Sequence, residues 1–192
     1  MDTSASLLDG LRLAPQDEAW RQLVELYSPL IRNWLLRNGA APGDVDDVAQ
    51  EVLLVVVRRI GEFRREPRTG AFRNWLRTIT VNCLRDHWRG KNKLPAVGGS
   101  DFGEFINQLE DPHSGVSDQW SREHDEHVIR YLLNRIRPRF AVNTWRAFQR
   151  FALENASADE VARELDISPN AVFIAKSRVM AMLRRQGRGL ID

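Results

Sequence analysis

Two serine-capped stretches separated by a three-residue turn constrain this fold more than any other feature of the chain. They lie in SADEVARELDISPNAVFIAKSRVMAMLRR, which starts at Ser157. SADE is a capping box: Ser157 can accept from a first-turn backbone N–H, and Glu160 can reach back. It opens a short helix bearing Val161, Ala162 and Leu165. After Asp166 and Ile167, Ser168 is a second N-cap and Pro169 suits the first helical position. Val172, Val179 and Leu183 then point one way, while Phe173, Ile174, Ser177 and Arg178 fall on the other faces. A short helix, a tight turn and a longer helix with a basic end follow the helix-turn-helix plan, whose outward residues would enter a major groove. Any three-helix bundle with a capped last helix would show the same spacing; the turn length and the basic end favour DNA. Lys176 falls near the core stripe and is expected to snorkel its ammonium to solvent.

The rest of the chain repeats helical spacing and lacks strong β-branched alternation. Trp20, Leu23, Val24, Tyr27, Leu30, Ile31, Trp34 and Leu35 mark a first helix, bent at Pro29 and stopped by Asn38-Gly39. A second helix is expected from about Asp44 to Ile60, with acids in its first turn to suit the helix dipole. GEFRREPRTG reads as a loop, and a third helix follows from Phe72 to Arg89. From Leu94 to Ser121 the chain is rich in glycine and acids and has no Lys or Arg. That composition predicts a flexible acidic linker, with a short helix around Phe102–Leu109. Helical pattern returns near Arg122 with Val128, Tyr131, Leu132 and Ile136, ends at Pro138, and resumes at Trp145, Phe148, Phe151 and Ala152. The expected fold is all-α: two small helical domains, 1–93 and 122–192, joined by linker 94–121.

Charge and cysteine content narrow the function classes. The 192 residues carry a net charge of only +2, with a pI near 9.0. Nearly all basic residues are arginine, which suits phosphate, base-edge and ion-pair recognition. So small a net charge does not predict tight DNA binding; either the cations cluster or a partner supplies most of the affinity. A single cysteine, Cys83, excludes an intramolecular disulfide framework. No apolar run approaches the roughly 20 residues that span a bilayer, and MDTSASLLDGLRLAP lacks the basic and apolar parts of a signal peptide. The expected location is cytoplasmic, without membrane insertion.

Two further constellations stand out. In DVDDVAQEVLLVVVRR, Val48, Val52, Val55 and Val56 make a core face. Asp47, Gln50, Glu51 and Leu54 lie on the other side, with Val57 beyond. Acids beside exposed leucine suit a basic partner; alternatively a neighbouring helix covers Leu54 and Val57 and the carboxylates are merely solvated. In AFRNWLRTITVNCLRDHWRG, Phe72, Leu76, Ile79 and Cys83 make one stripe, and Val81, Leu84 and Trp88 a second among arginines. The second stripe could pack on another helix or offer an aromatic surface to unstacked bases. Asn82, Arg85 and Arg89 flank it, and the adjacent loop adds Phe63, Arg64, Arg65 and Arg68.

No catalytic set is apparent, and neither a metal nor a cofactor is expected. His124 and His127 form H-x-x-H without the glutamate or third ligand of a protease zinc site, and a solvated helix face is expected there. Cys83 and Asp86 fall on the core stripe, Cys83 as a buried inert thiol and Asp86 paired with an arginine or capping backbone.

Taken in order, these pieces resemble a bacterial extracytoplasmic-function (ECF) RNA polymerase sigma factor over most of the chain. DDVAQEVLLVVVRRIGEF is similar to the D-x-x-Q-E stretch of region two. GAFRNWLRTITVNCLRDHWR resembles its F-x-x-W-L-x-x-I-x-x-N-x-x-x-D stretch. ASADEVARELDISPNAVFIAKSRVMAMLRR resembles the region-four helix-turn-helix. The resemblance implies a region-two domain over 1–93 and a region-four domain over 122–192. It implies that Asp47, Gln50, Glu51 and Leu54 dock on the β′ clamp helices of core RNA polymerase, the β subunit being a further partner. It implies that Phe63, Arg64, Arg65, Arg68, Asn82, Arg85, Trp88 and Arg89 capture the melted minus-ten element of promoter DNA. Ser168, Asn170, Phe173, Ile174, Ser177 and Arg178 would read duplex minus-thirty-five DNA. Such a factor makes the polymerase promoter-specific and has no catalysis of its own. With only short segments at Met1–Ala14 and Gly187–Asp192, regulation by a separate anti-sigma protein is the expectation. Phe173, Ile174 and Ala175 stand where relatives often carry basic or small polar residues, and Thr78 where some have arginine. The alternatives are a helix-turn-helix regulator that binds duplex DNA without polymerase, and a sigma-like protein that binds polymerase or a regulator without directing transcription.

Overall fold

Helices account for the regular structure throughout the computed structural model, which describes residues 17–63, 70–91 and 113–188 and positions 7, 11, 107, 108, 111 and 190. Among the described residues, seven α-helices are ordered as α1 (Asp17–Arg37), α2 (Val45–Arg59), α3 (Ala71–Lys91), α4 (Gly115–Ile136), α5 (Val142–Phe148), α6 (Ala158–Leu165) and α7 (Pro169–Gln186). A 3-10 turn, Arg137–Arg139, follows α4, and a π-helical turn, Gln149–Leu153, follows α5. No strand occurs among the described residues, in agreement with the all-α expectation. The proposed short helix at Phe102–Leu109 lies largely outside the described residues, as does Pro15.

The chain divides into two compact units, one containing residues 5–128 together with Leu190 and the other covering Ile129–Arg188. In the first, α2 packs on both α1 and α3. Gly39 ends α1 at φ +88°, a backbone angle that glycine adopts without strain. Pro29 is accommodated inside α1. α2 has acids in its first turn and Arg58 and Arg59 in its last, both favourable to its dipole. Asp44 precedes α2 without capping it through its side chain; its carboxylate instead lies 3.0 Å from His87 Nε2 on α3.

The second stripe of α3 is core. Val81 and Leu84 are buried, and Trp88 is only 4 % exposed. Its indole lies against the Gly39 turn, where a Cβ would stand 3.6 Å from Cζ2. Arg77 is buried as well, and burial lowers its pKa. α3 is therefore covered on two sides. Asp86 departs from its expected place: it is exposed, with Arg85 Nε at 3.8 Å.

α4 begins at Gly115, seven residues before the expected restart, and its first half belongs to the core of the first unit. Trp120 is fully buried edge-on against Trp34, with ring centroids 5.5 Å apart, and its indole N–H donates to the Arg73 carbonyl at 3.0 Å. Arg37 forks onto Glu123. The histidines are not a solvated face. His124 is fully buried, and His127 Nε2 lies 2.6 Å from the Leu26 carbonyl. Helical spacing alone could not reveal this, because both faces of α4 carry polar residues.

His124 joins three elements. Its Nδ1 is 3.0 Å from Asp125 Oδ1, and its Nε2 is 3.3 Å from the Tyr27 hydroxyl. A neutral ring donating to Asp125 and accepting from Tyr27 satisfies both contacts. Arg73 of α3 donates to the other Asp125 oxygen at 2.5 Å. Burial holds the His124 pKa below its ordinary value despite the Asp125 carboxylate. For Asp125, burial opposes ionisation, but hydrogen bonds from His124 and Arg73 win and keep its carboxyl below the usual range. A histidine with a depressed folded pKa contributes stability that is present above its unfolded pKa, about 6.5, and is lost as pH falls below it. Thermal melting of the chain should therefore drop on acidification from pH 7 towards pH 5. His124→Gln should flatten that part of the profile; an unchanged slope would mean that other groups set it.

Candidate functional surfaces

The acidic face of α2 is open. Asp47, Gln50 and Glu51 are exposed, Leu54 is 47 % exposed and Val57 42 %. Positions 47, 50, 51 and 54 follow i, i+3, i+4, i+7 and share one face. The opposite face buries Val45, Val48, Ala49, Val52 and Val56. Among the described residues, no helix covers Leu54 or Val57. Asp46 sits aside from it, paired with Arg32 of α1 at 3.0 Å.

The residues proposed for melted DNA separate into three groups. Arg64, Arg65 and Arg68 lie outside the described residues. Arg89 is exposed, and Asn82 and Arg85 are half-buried. Phe63 and Trp88 are buried and present no aromatic platform. Phe63 packs between Phe72, edge-on at 5.6 Å, and Trp75 at 5.1 Å. Trp75 is the half-exposed member of that cluster. It belongs to neither apolar stripe of α3, and that offset is its signal in the sequence.

Cys83 is half-buried. Burial, aided by Glu51 and Asp86, pushes its thiol up to about 11. It stays protonated at neutral pH, and a thiol in that state is a poor nucleophile. Among the described residues, no three His, Cys, Asp or Glu side chains are arranged to hold a metal ion.

In the second unit, α6 and α7 stand as the caps predict. Ser157 accepts from the Glu160 N–H and Ser168 from the Ala171 N–H, each at 3.2 Å; such caps contribute about 1 kcal/mol each. The Glu160 side chain does not complete the expected box but faces Arg150 at 3.6 Å. Arg150 also pairs with Glu154 at 2.7 Å and Glu164 at 2.9 Å, tying the π-helical turn to α6. Asp166 turns the chain in the left-handed region, φ 52° and ψ 51°, which a short polar side chain tolerates. Val161, Ala162, Val172 and Ala175 meet Ala147 in one cluster, and Val179 meets Ile136, Trp145 and Phe148 in another.

This packing leaves Asn170, Phe173, Ile174, Ser177 and Arg178 exposed. Ser168 is exposed too, with its oxygen serving as the cap. Ala175 is buried and offers nothing to a groove. Lys176 reaches solvent as expected, with its ammonium 5.2 Å from the centre of the Phe151 ring.

Residues 23–94 match the family Sigma-70 region 2. The matched stretch contains all of α2 and α3 and most of α1. It supports a sigma-factor-like role in binding RNA polymerase and recognising promoters. No curated protein matches the chain. No described helix is long and apolar enough to cross a membrane.

Proposed function

We infer that the chain is a sigma factor of the ECF kind: it binds core RNA polymerase and directs initiation at a particular set of promoters. The observation that carries this reading is an open acid-and-leucine face, Asp47, Gln50, Glu51 and Leu54, inside a stretch that matches Sigma-70 region 2. A basic helical partner such as the β′ clamp would bury Leu54 and face the carboxylates. Arg85 and Arg89, with the arginines at 64, 65 and 68, supply cations for the minus-ten strand. Trp75, rather than the buried Trp88, stacks on an unpaired base. α7 reads duplex minus-thirty-five DNA in this scheme, and the β subunit is a second polymerase contact. The region-two domain would run through the first half of α4 to Val128 and the region-four domain would follow from Ile129, in place of the expected boundaries 1–93 and 122–192 and linker 94–121. The chain itself contributes no catalysis and acts in the cytoplasm, under a separate anti-sigma protein.

The test is capture of purified core RNA polymerase by the full chain, followed by transcription from genomic fragments with and without it. Polymerase binding with new discrete start sites is expected. Duplex DNA binding without polymerase contact would establish the ordinary helix-turn-helix regulator instead.

A further inference from the structure

α7 has two faces of opposite purpose. Val172, Ala175 and Val179 are buried in the second unit. Asn170, Phe173, Ile174, Ser177 and Arg178 follow i, i+3, i+4, i+7, i+8 and form one exposed face. In the middle of that polar stripe Phe173 is 50 % exposed and Ile174 49 %. They sit side by side in the second turn after the cap, where a helix entering a groove meets base edges.

Phe173 is also held in place. Its ring meets Phe151 edge-on, with centroids 5.3 Å apart and planes at 87°, an arrangement aromatic pairs prefer. The rest of α7 suits a polyanion: it carries Lys176, Arg178, Arg184 and Arg185 and no acidic side chain. The occupant that fits both the apolar pair and the cations is duplex DNA. On the major-groove edge of a base pair the apolar feature is the C5-methyl of thymine.

We propose that Phe173 and Ile174 are specificity-determining residues that read thymine methyl groups, directing α7 to a duplex element containing adjacent A·T pairs. Asn170 beside them can take adenine, and Arg178 guanine or a phosphate. The proposal rests on the promoter-reading role of α7 given above.

Holoenzyme assembled from core RNA polymerase and the full chain would select duplexes from a random pool. Each thymine of the selected element would then be replaced by deoxyuridine, which removes the methyl and leaves the hydrogen-bonding edge unchanged. Binding should weaken about fourfold per contacted methyl. Holoenzyme carrying Ile174→Ser should lose that sensitivity at one position, and Phe173→Ala at the neighbouring one. Ile174→Ser alters an exposed side chain, so it keeps the test interpretable should Phe173→Ala loosen the packing on Phe151. Sequence-selective duplex binding indifferent to deoxyuridine would overturn the methyl reading and leave the polymerase-directed role standing. An unchanged selected sequence with weakened polymerase binding in both variants would make the pair a protein contact, and the proposal would fail. Polymerase capture without any duplex preference would remove the DNA-reading role of α7 altogether.

Discussion

Trp120→Ala should destabilise the first unit by about 3–5 kcal/mol, the range for emptying a buried tryptophan site. Three losses combine. The fully buried indole leaves a cavity beside Trp34. The edge-on aromatic contact disappears. The Arg73 carbonyl loses its donor at the point where α3 begins. Trp120→Phe separates these terms: it keeps much of the apolar volume but not the hydrogen bond, and should cost about 1–3 kcal/mol. Urea unfolding gives the magnitude. Hydrogen exchange gives the location, because residues 115–128 should lose protection first. A change under 1 kcal/mol would mean that the start of α4 does not dock in solution. In that case the Tyr27–His124–Asp125–Arg73 network would not form, and the acid-sensitive melting would vanish with it.

Asp47→Arg combined with Glu51→Arg should weaken capture of core RNA polymerase by at least about 100-fold, since like charges facing each other across an interface cost several kcal/mol. Folding should barely respond. Both side chains are exposed, and surface changes usually stay within about 0.5 kcal/mol. Placing a cation in the first turn of α2 adds an unfavourable dipole contribution of about 0.3–1 kcal/mol. Leu54→Ser isolates the apolar part of the face and should weaken capture about tenfold, comparable with removing one buried contact of that size. Binding titrations with matched thermal melts distinguish an interface effect from unfolding. Unchanged capture by the double variant would move the docking surface off α2.

The two units differed in how far they could be read in advance. In the second unit, local chemistry marked the helix starts, although Glu160 faces Arg150 instead of completing its box. Ser157, Ser168 and Pro169 announce two helix starts, and the bonds they make are those expected of them. Val172 and Val179 set the inward face of α7, so its outward residues followed. In the first unit, Val48, Val52 and Val56 mark the inward side of α2, but whether another helix covers Leu54 and Val57 could not be read from spacing.

What failed was judging residues on elements covered from more than one side. Arginines neighbour Trp88 and Phe63 in sequence, which leaves helix packing and an exposed aromatic surface both open for the Trp88 stripe; packing is what the structure shows. Trp88 is covered by the Gly39 turn, and Phe63 by Phe72 and Trp75. His124 and His127, whose H-x-x-H spacing without further zinc ligands suggests a solvated face, are buried and half-buried. A polar side chain can be buried when a distant element supplies its partner, and here Tyr27 and the Leu26 carbonyl do so from about a hundred residues away.

The amino-acid sequence by itself determined the helices, their caps and the polarity of each helix with one buried side, because those depend on interactions within a few residues. Only the tertiary structure decided which second faces are buried, that the start of α4 belongs to the first unit, and which aromatic side chains remain open to a partner. Those outcomes depend on contacts between segments far apart in the chain, and no local period encodes them.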